Sequence, residues 1–221
     1  MEQHLFILRN SPFFQGMTET EILSVLHCVN ATVISKQKGE YIHRVGDSTD
    51  TMGLVLRGSV LSVQEDLWGH RNIIHHIGAG ECFAEPFAAT PGSVLNVNIV
   101  ADEETQIMLL HIERLLTTCP HACEHHNRLV RNLVSVMARR VMSLNEKITH
   151  MAKRSTREKL LSYLSAEAMR QGKYAFSIPY DRQQLADYLC VERAAMSVEL
   201  SKLQKEGFLK TNRNYFELFT K

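Results

Sequence analysis

The side chains in this sequence that are best suited to bind another molecule are the basic residues of its last third. Residues 151–221 contain 13 Lys and Arg against 8 Asp and Glu, a net charge of +5, whereas residues 1–150 contain 12 against 16, a net charge of −4. Guanidinium and ammonium groups bind phosphate oxygens, and an arginine can also bind the edge of a guanine through two hydrogen bonds. The total of +1 therefore conceals an acidic part and a basic part that is suited to a polyanion.

Seven residues of the basic part form the predicted DNA-binding set. Arg193 is suited to a guanine edge, whereas Lys202 and Arg213 suit phosphates. Two further members lie at a helix start, where free backbone N–H groups also favour a phosphate. The full set is Arg182, Gln183, Arg193, Ala194, Ser197, Lys202 and Arg213. Solvated surface charge explains any one of these residues well enough, so the prediction depends on their order and on the local charge.

A second group of chemically capable residues is a cysteine and histidine cluster within residues 119–126. The cluster comprises Cys119, His121, Cys123, His125 and His126. Thiolate and imidazole together bind zinc, iron or haem. The spacing does not match a known zinc or iron–sulfur motif, so a buried cysteine pair with solvated histidines is the alternative. Both interpretations stay open, and no residue is predicted as a metal ligand.

The elements that would position these residues divide the chain into three segments. Residues 1–118 contain short β-rich runs separated by glycine-containing turns, a pattern typical of an antiparallel sandwich or barrel. A helix start at Thr18 to Glu21 precedes these runs. The runs are residues 52–56, 60–63, 72–74 and 97–101.

Residues 119–151 are predicted to form one long helix with a heptad repeat. Its apolar positions alternate spacings of four and three residues over about three heptads, which is typical of a helix that pairs with a second helix. The seam comprises Val130, Val134, Met137, Val141, Leu144, Ile148 and Met151. The pattern predicts a homodimer, with packing of the seam on the β-rich segment of its own chain as the alternative.

Residues 152–221 are predicted to form a helix, a short strand, two helices joined by a brief turn, and a hairpin. Capping boxes mark two of the helix starts, at Ser155 with Glu158 and at Asp181 with Gln184. This order of elements is that of a winged helix-turn-helix, whose second helix enters the major groove of DNA.

Composition excludes several classes of protein. Of the 221 residues, 44% are apolar, which is enough for the cores of two modules. No apolar run approaches the 18–20 residues of a membrane helix, and the first residues lack the pattern of a secretory signal. Five cysteines, an odd number, fit reduced thiols better than disulfides. We therefore expect a cytoplasmic protein that does not associate with a membrane.

The order of a β-rich segment, a seam helix and a winged helix-turn-helix resembles the CRP/FNR superfamily of bacterial transcription regulators over essentially the whole chain. The motifs that carry the resemblance are Leu56-Arg57-Gly58-Ser59-Val60, Gly78-Ala79-Gly80-Glu81-Cys82-Phe83, Met137-Ala138-Arg139-Arg140 and Leu185-Ala186-Asp187-Tyr188-Leu189. The resemblance implies an α+β fold with a cupin-like antiparallel β-roll over residues 1–118, a dimerisation helix over 119–151 and a winged helix-turn-helix over 152–221. It also implies double-stranded DNA as a partner, and RNA polymerase if the protein is an activator.

The sequence departs from the superfamily at the positions that bind cyclic AMP. The Arg-Ser pair that holds the cyclic phosphate falls at Leu95 and Asn96, and a leucine cannot neutralise a phosphate. The adenine-facing Thr-Ser pair falls at Leu144 and Asn145. Cyclic AMP is therefore disfavoured, and we expect no cofactor but an unidentified small ligand. The expected effector pocket comprises Gly80, Glu81, Cys82, Phe83, Asn96, Leu144 and Asn145.

The recognition helix departs from the superfamily as well. Members often carry a Glu and an Arg that read guanine–cytosine pairs, and these positions hold Ala194 and Val198. Alanine or valine can touch a thymine methyl group but cannot read guanine. The operator sequences of the superfamily are therefore not expected to transfer, whereas a two-fold symmetric site with half-sites about 34 Å apart is expected.

The sequence thus predicts a homodimeric transcription regulator that is not an enzyme, with a β-roll that senses a small-molecule or redox signal. Two alternatives stay open. The first is a cupin-like metal-dependent enzyme with His75, His76 and Cys82 as ligands, although the His and Glu spacing of a facial metal site is missing. The second is a ligand-binding adaptor whose helix-turn-helix binds protein instead of DNA, which the salt dependence of DNA binding distinguishes.

Overall fold

The glycine-punctuated apolar runs of the first segment form antiparallel strands, as predicted. In the computed structural model, which describes residues 2–116 and 124–219, the four predicted runs lie in β3, β4, β5 and β7 of the following series. The strands are β1 (Thr32–Lys36), β2 (Tyr41–His43), β3 (Thr51–Arg57), β4 (Val60–Glu65), β5 (Arg71–Ile77), β6 (Cys82–Phe83), β7 (Asn98–Ala101) and β8 (Thr105–His111).

These strands form two four-stranded sheets. One has the order β1-β8-β3-β6 and the other the order β2-β7-β4-β5, with antiparallel pairing of β3 to β8 and of β4 to β7. Gly53 of β3 lies under the ring of Phe83, where a β-carbon would be only 2.0 Å from a ring carbon, so this close approach requires glycine. The predicted antiparallel β-roll and the α+β class are confirmed.

Four short helices flank the sheets in the described part of the chain. They are α1 (Leu5–Asn10), α2 (Glu19–Cys28), α3 (Glu85–Ala88) and α4 (Ile112–Leu116). Helix α2 begins where the sequence predicts, because the Glu21 N–H donates to the Thr18 hydroxyl and the Thr18 N–H donates to the Glu21 carboxylate. Ile22 and Leu26 on its inner face are buried. The capping box thus sets the start of the helix, and the apolar spacing sets its packing face.

The predicted seam helix is α5 (Glu124–Met151), which has 28 residues. Leu129 and Leu133 are buried in the core cluster that includes side chains of α1 and α2. Val130 and Met137, two residues of the predicted seam, pack partly against the same cluster. The alternative expectation, packing on the chain's own β-roll, therefore applies to these two positions.

Other positions of the seam are exposed in the single chain. Val134, Val141 and Ile148 are 61%, 58% and 63% exposed. Three large aliphatic side chains along one line of a helix expose an apolar surface that a second helix would cover. The homodimer itself stays a prediction.

The last third of the chain has the predicted order of elements. They are α6 (Thr156–Gln171), β9 (Ala175–Ser177), α7 (Arg182–Leu189), α8 (Arg193–Lys205), β10 (Leu209–Asn212) and β11 (Tyr215–Leu218). Both predicted capping boxes are present, at Ser155 with Glu158 and at Asp181 with Gln184. The strands form a sheet in the order β10-β11-β9, which is the wing.

The core of this part is formed by the apolar stripes of its three helices and by the wing. Phe176 of β9 stacks on Phe216 of β11, with ring centroids 6.4 Å apart. The buried leucine and methionine residues of these helices are Leu160, Leu164, Leu185, Leu189, Met196, Leu200 and Leu203. Helical spacing of these residues leaves one side of α8 without core contacts, and that side is available to a partner.

The described chain forms two compact units, one of residues 1–64 and 75–141 and the other of residues 65–74 and 142–221. The boundaries at 118 and 151 that the sequence suggests stay a prediction. None of the described helices is both long and apolar enough to cross a lipid bilayer.

Candidate nucleic-acid interface

The turn between α7 and α8 is short and is held by a lysine of α6. Helix α7 ends at Leu189 and is capped by Cys190, which has a left-handed backbone with φ of +51°. The Lys159 ammonium donates to the carbonyl oxygens of Leu189 and Cys190, each at 3.3 Å. The last carbonyls of a helix lack partners within the helix, so a cation there stabilises its end. The direction in which α8 leaves the turn is therefore well defined.

The outward side of α8 carries four of the seven residues of the predicted DNA-binding set. Arg193, Ala194, Ser197 and Lys202 are all exposed. The Lys202 ammonium lies 2.8 Å from a carboxylate oxygen of Glu199, so binding a phosphate would exchange one anion for another. All four side chains are thus accessible to solvent on the same helix, and their contact with DNA stays a prediction.

Arg182 and Gln183, which the sequence places at a helix start, make contacts within the unit. The Arg182 guanidinium donates to the Thr211 hydroxyl at 2.6 Å and lies over the Phe216 ring at 5.1 Å. Burial lowers the pKa of this guanidinium from its ordinary value. The Gln183 amide donates to the Asp187 carboxylate at 2.7 Å. Arg182 therefore links α7 to the wing, a role that no sequence pattern indicates.

Arg213 lies at the tip of the wing, between β10 and β11. Its side chain is exposed and its backbone is left-handed, with φ of +52°. The neighbouring Asn214 donates from its side chain to the Ile178 carbonyl at 3.1 Å, and the Ile178 N–H donates back to the Asn214 carbonyl at 3.0 Å. The wing tip is thus anchored while its one arginine stays available to a phosphate.

Lys147 of α5 is a buried cation that the sequence analysis does not single out. It is 4% exposed, and its ammonium donates to the Asn72 side-chain oxygen at 2.9 Å and to the Ile73 carbonyl. The ammonium also lies 4.7 Å from the centre of the Tyr188 ring, in α7. Lys147 therefore connects the hairpin tip of residues 65–74 to the helix-turn-helix within the second unit.

Burial lowers the pKa of the Lys147 ammonium from 10.5 to about 8. Above pH 8 the folded chain releases this proton while the unfolded chain keeps it, so the unfolded state binds more protons. The contribution of Lys147 to the free energy of unfolding therefore rises between pH 8 and 10.5, by about 3 kcal/mol. Urea unfolding of the wild type and of Lys147→Met at several pH values measures this difference. The exposed Lys153→Met is the control, and a difference between wild type and Lys147→Met that does not change with pH contradicts the prediction.

Five of the seven expected effector-pocket residues lie in the first unit. Cys82 and Phe83 form β6 and are buried, and burial raises the pKa of the Cys82 thiol, which keeps it protonated and unreactive. Gly80 is buried at a turn with φ of +86°, which favours glycine. Glu81 and Asn96 are exposed. Of the five, these last two offer polar side chains to a ligand, and the pocket stays a prediction.

Leu144 and Asn145, the other two expected pocket residues, lie in the second unit. Leu144 is half-buried and Asn145 is exposed. In the first unit, Leu95, at the position of the phosphate-binding arginine, is buried. A buried leucine offers no charge or hydrogen bond to an anion, which supports the expectation that cyclic AMP does not bind.

Arg140 of α5 and Glu85 of α3 form an ion pair in the first unit, in which the carboxylate is buried and the guanidinium is partly buried. Glu85 is 1% exposed, and the Arg140 guanidinium donates to its carboxylate at 3.1 Å. The same guanidinium group donates to the carbonyl oxygen of Cys82. Arg140 is the last residue of the Met137-Ala138-Arg139-Arg140 motif, and its partner is 55 residues away in the sequence. These contacts join β6 and α3, which include or follow expected pocket residues, to the seam helix.

Most of the cysteine and histidine cluster lies outside the described residues, namely Cys119, His121 and Cys123. Within the described ranges, His125 lies 3.0 Å from the Glu21 carboxylate and the His126 ring lies 3.3 Å from the Arg114 carbonyl. No group of three or more potential metal ligands occurs among the residues that the structure describes. Both interpretations of the cluster, a metal site and a buried cysteine pair with solvated histidines, therefore stay open.

Two family models match the chain in succession. The cyclic nucleotide-binding domain matches residues 33–120, and the Crp-like helix-turn-helix domain matches residues 158–219. No curated protein sequence matches the chain.

Solved structures of transcription regulators share the fold. The c-di-GMP-responsive global regulator CLP of Xanthomonas campestris is 17% identical, with a TM-score of 0.74 over 92% of this chain and 100% of that one. FixK2 from Bradyrhizobium japonicum is 20% identical, with a TM-score of 0.67 over 86% and 93%. A CooA mutant from Carboxydothermus hydrogenoformans is 19% identical, with a TM-score of 0.70 over 91% and 93%.

The fold and the exposed helix-turn-helix define a DNA-binding protein of the transcription-regulator class. With the two family models in the order found along this chain, it belongs to the CRP/FNR superfamily, as the sequence motifs indicate. It is a bacterial DNA-binding transcription regulator.

Proposed function

We propose that the chain acts as a homodimer that binds a palindromic DNA site with half-sites about 34 Å apart. The observation that carries this proposal is the exposed outward side of α8, with Arg193 at its start and Lys202 at its edge. The exposed Val134 and Val141 support pairing through α5. A DNA-binding role places the protein in the cytoplasm, where an activator would also contact RNA polymerase.

The proposed signal is a small molecule or a redox change that acts on the β-roll. Binding would shift the population between two arrangements of the paired helices and so change the distance between the two recognition helices. The Arg140–Glu85 pair supports this route, because it joins α3, which follows β6, to α5. A ligand shifts such an equilibrium only by its difference in affinity for the two states. We propose no catalytic role, metal or cofactor for the chain.

The test separates base contacts from phosphate contacts. Arg193→Ala is expected to weaken binding to the preferred site by about 1–3 kcal/mol for each half-site and to relax specificity, with little effect on random DNA. Arg213→Asn is the second variant, because asparagine tolerates the left-handed backbone of the wing tip. It removes one phosphate contact from each of the two subunits. We therefore expect it to weaken binding to both DNAs equally and to lower the slope of log affinity against log salt concentration by about 2. Fluorescence anisotropy across a salt series measures both effects.

The control is Lys173→Ala, an exposed lysine outside the predicted DNA-binding set. We expect this variant to leave specificity unchanged and to lower the salt slope by less than Arg213→Asn does. Equal loss on preferred and random DNA in Arg193→Ala would contradict the assignment of that arginine. Binding that does not weaken with salt would contradict DNA as the partner and favour the protein-binding adaptor.

A further inference from the structure

The centre of the outward side of α8 is apolar. Because the buried residues of this helix face the core, helical geometry places Ala194 and Val198 on the opposite side, followed by Ser201 and Lys205. Val198 is 54% exposed. The N-terminal part of a recognition helix is the part that reaches base edges in the major groove. Two apolar side chains therefore lie where base contacts are expected.

The serines of this surface do not add free hydrogen-bond donors. The Ser197 hydroxyl donates to the carbonyl oxygen of Arg193 at 2.9 Å, and the Ser201 hydroxyl donates to that of Ser197 at 3.0 Å. Each hydroxyl thus uses its proton within the helix and offers only lone pairs to a base. Hydrogen-bond donors for base reading come mainly from Arg193, at the first position of α8.

We infer that Ala194 and Val198 set the base preference of the protein by packing against the 5-methyl groups of thymines in each half-site. The thymine methyl is the apolar group that the major groove presents, and alanine and valine cannot make the hydrogen bonds that the other bases offer. Arg193, at the start of the same helix, binds an adjacent guanine. This inference rests on the proposed function, and it adds which chemical group of the DNA the helix recognises.

The experiment removes single methyl groups from the DNA. Selection from a random duplex library with the full-length protein gives the preferred half-site, and each thymine is then replaced singly by uracil, which lacks only the methyl group. Loss of a contacted methyl is expected to weaken binding about fourfold, since one buried carbon is lost. Thymines of the same duplex outside the half-sites are the control and are expected to show no change.

A variant of the protein identifies the partner of the methyl group. Val198→Ala keeps a good helix former at an exposed position, so the fold is expected to be retained. We call the loss of affinity on replacing a thymine by uracil the uracil penalty. In this variant the uracil penalty at one thymine of each half-site is expected to fall from about fourfold to almost no loss of affinity. Lys205→Ala, on the same side but in the last turn, is the matched control and is expected to keep the full penalty.

The possible outcomes distinguish this inference from the proposed DNA-binding function on which it rests. A selected half-site without any thymine whose methyl matters overturns the inference and leaves DNA binding intact. Uracil penalties that persist unchanged in Val198→Ala also overturn it. Failure to select any sequence above random DNA overturns the proposed function and this inference together.

Discussion

A protein with Val134→Glu and Val141→Glu is expected to sediment as a monomer and to bind its DNA site about 10²–10⁴-fold more weakly than the wild type. Both valines are more than half exposed in the single chain, at 61% and 58%, so the substitutions do not disturb its core. In a two-stranded seam the same side chains would be buried, and a buried carboxylate without a partner is costly. The loss of affinity follows because the second half-site is no longer bound by a tethered subunit.

The matched control carries Ser135→Glu and Arg139→Ala, which change the charge of the helix by the same amount. Both residues are exposed and lie off the seam of α5. We expect this variant to stay dimeric with nearly normal affinity. If the two-valine variant sediments as a dimer instead, the contact between subunits is not the seam.

Arg140→Ala is expected to destabilise the first unit by about 3–5 kcal/mol, as measured by urea unfolding. The substitution leaves the carboxylate of Glu85, which is 1% exposed, without its cation and also removes a donor to the Cys82 carbonyl. Removing one partner of a buried ion pair is costly because the other charge stays buried. Since the pair joins α3, which follows β6, to α5, we also expect any response to a signal to be lost.

A double substitution separates the charge from the packing. Glu85→Gln together with Arg140→Met removes both charges at similar volume and is expected to recover most of the lost stability. Arg139→Ala, the exposed neighbour, is the control and is expected to change stability by less than about 0.5 kcal/mol. Arg140→Ala within 1 kcal/mol of the wild type would show that the pair is not a stabilising link.

Local patterns in the sequence predicted the parts of the fold that depend on neighbouring residues. The capping boxes at Ser155 and Asp181 mark helix starts because both partners lie three residues apart, within one turn. Apolar runs separated by glycines predicted β3 and β4, because this pattern also lies within neighbouring residues. The short strand β6 and the four-residue helix α3 were not predicted, because two to four residues carry no periodic pattern.

The contacts that connect elements could not be predicted, because their partners are distant in sequence. Lys147 and Asn72 are 75 residues apart, and Arg182 and Thr211 are 29 residues apart. The helix start at Asp181 identified Arg182 as a candidate phosphate contact, but the contact that holds its guanidinium depends on how the wing folds back. The exposed set on α8 was predictable, since helical spacing alone separates buried from exposed positions.

The measurement that tests the central claim most directly is the selection of DNA from a random duplex library by the full-length wild-type protein at physiological salt. A homodimer with one recognition helix in each subunit predicts a two-fold symmetric motif whose half-sites are centred about 10 base pairs apart, or a multiple of that. It also predicts that affinity for this motif falls steeply as salt rises. A library without an enriched motif, or an enriched motif with a single half-site and no symmetry, would contradict the claim.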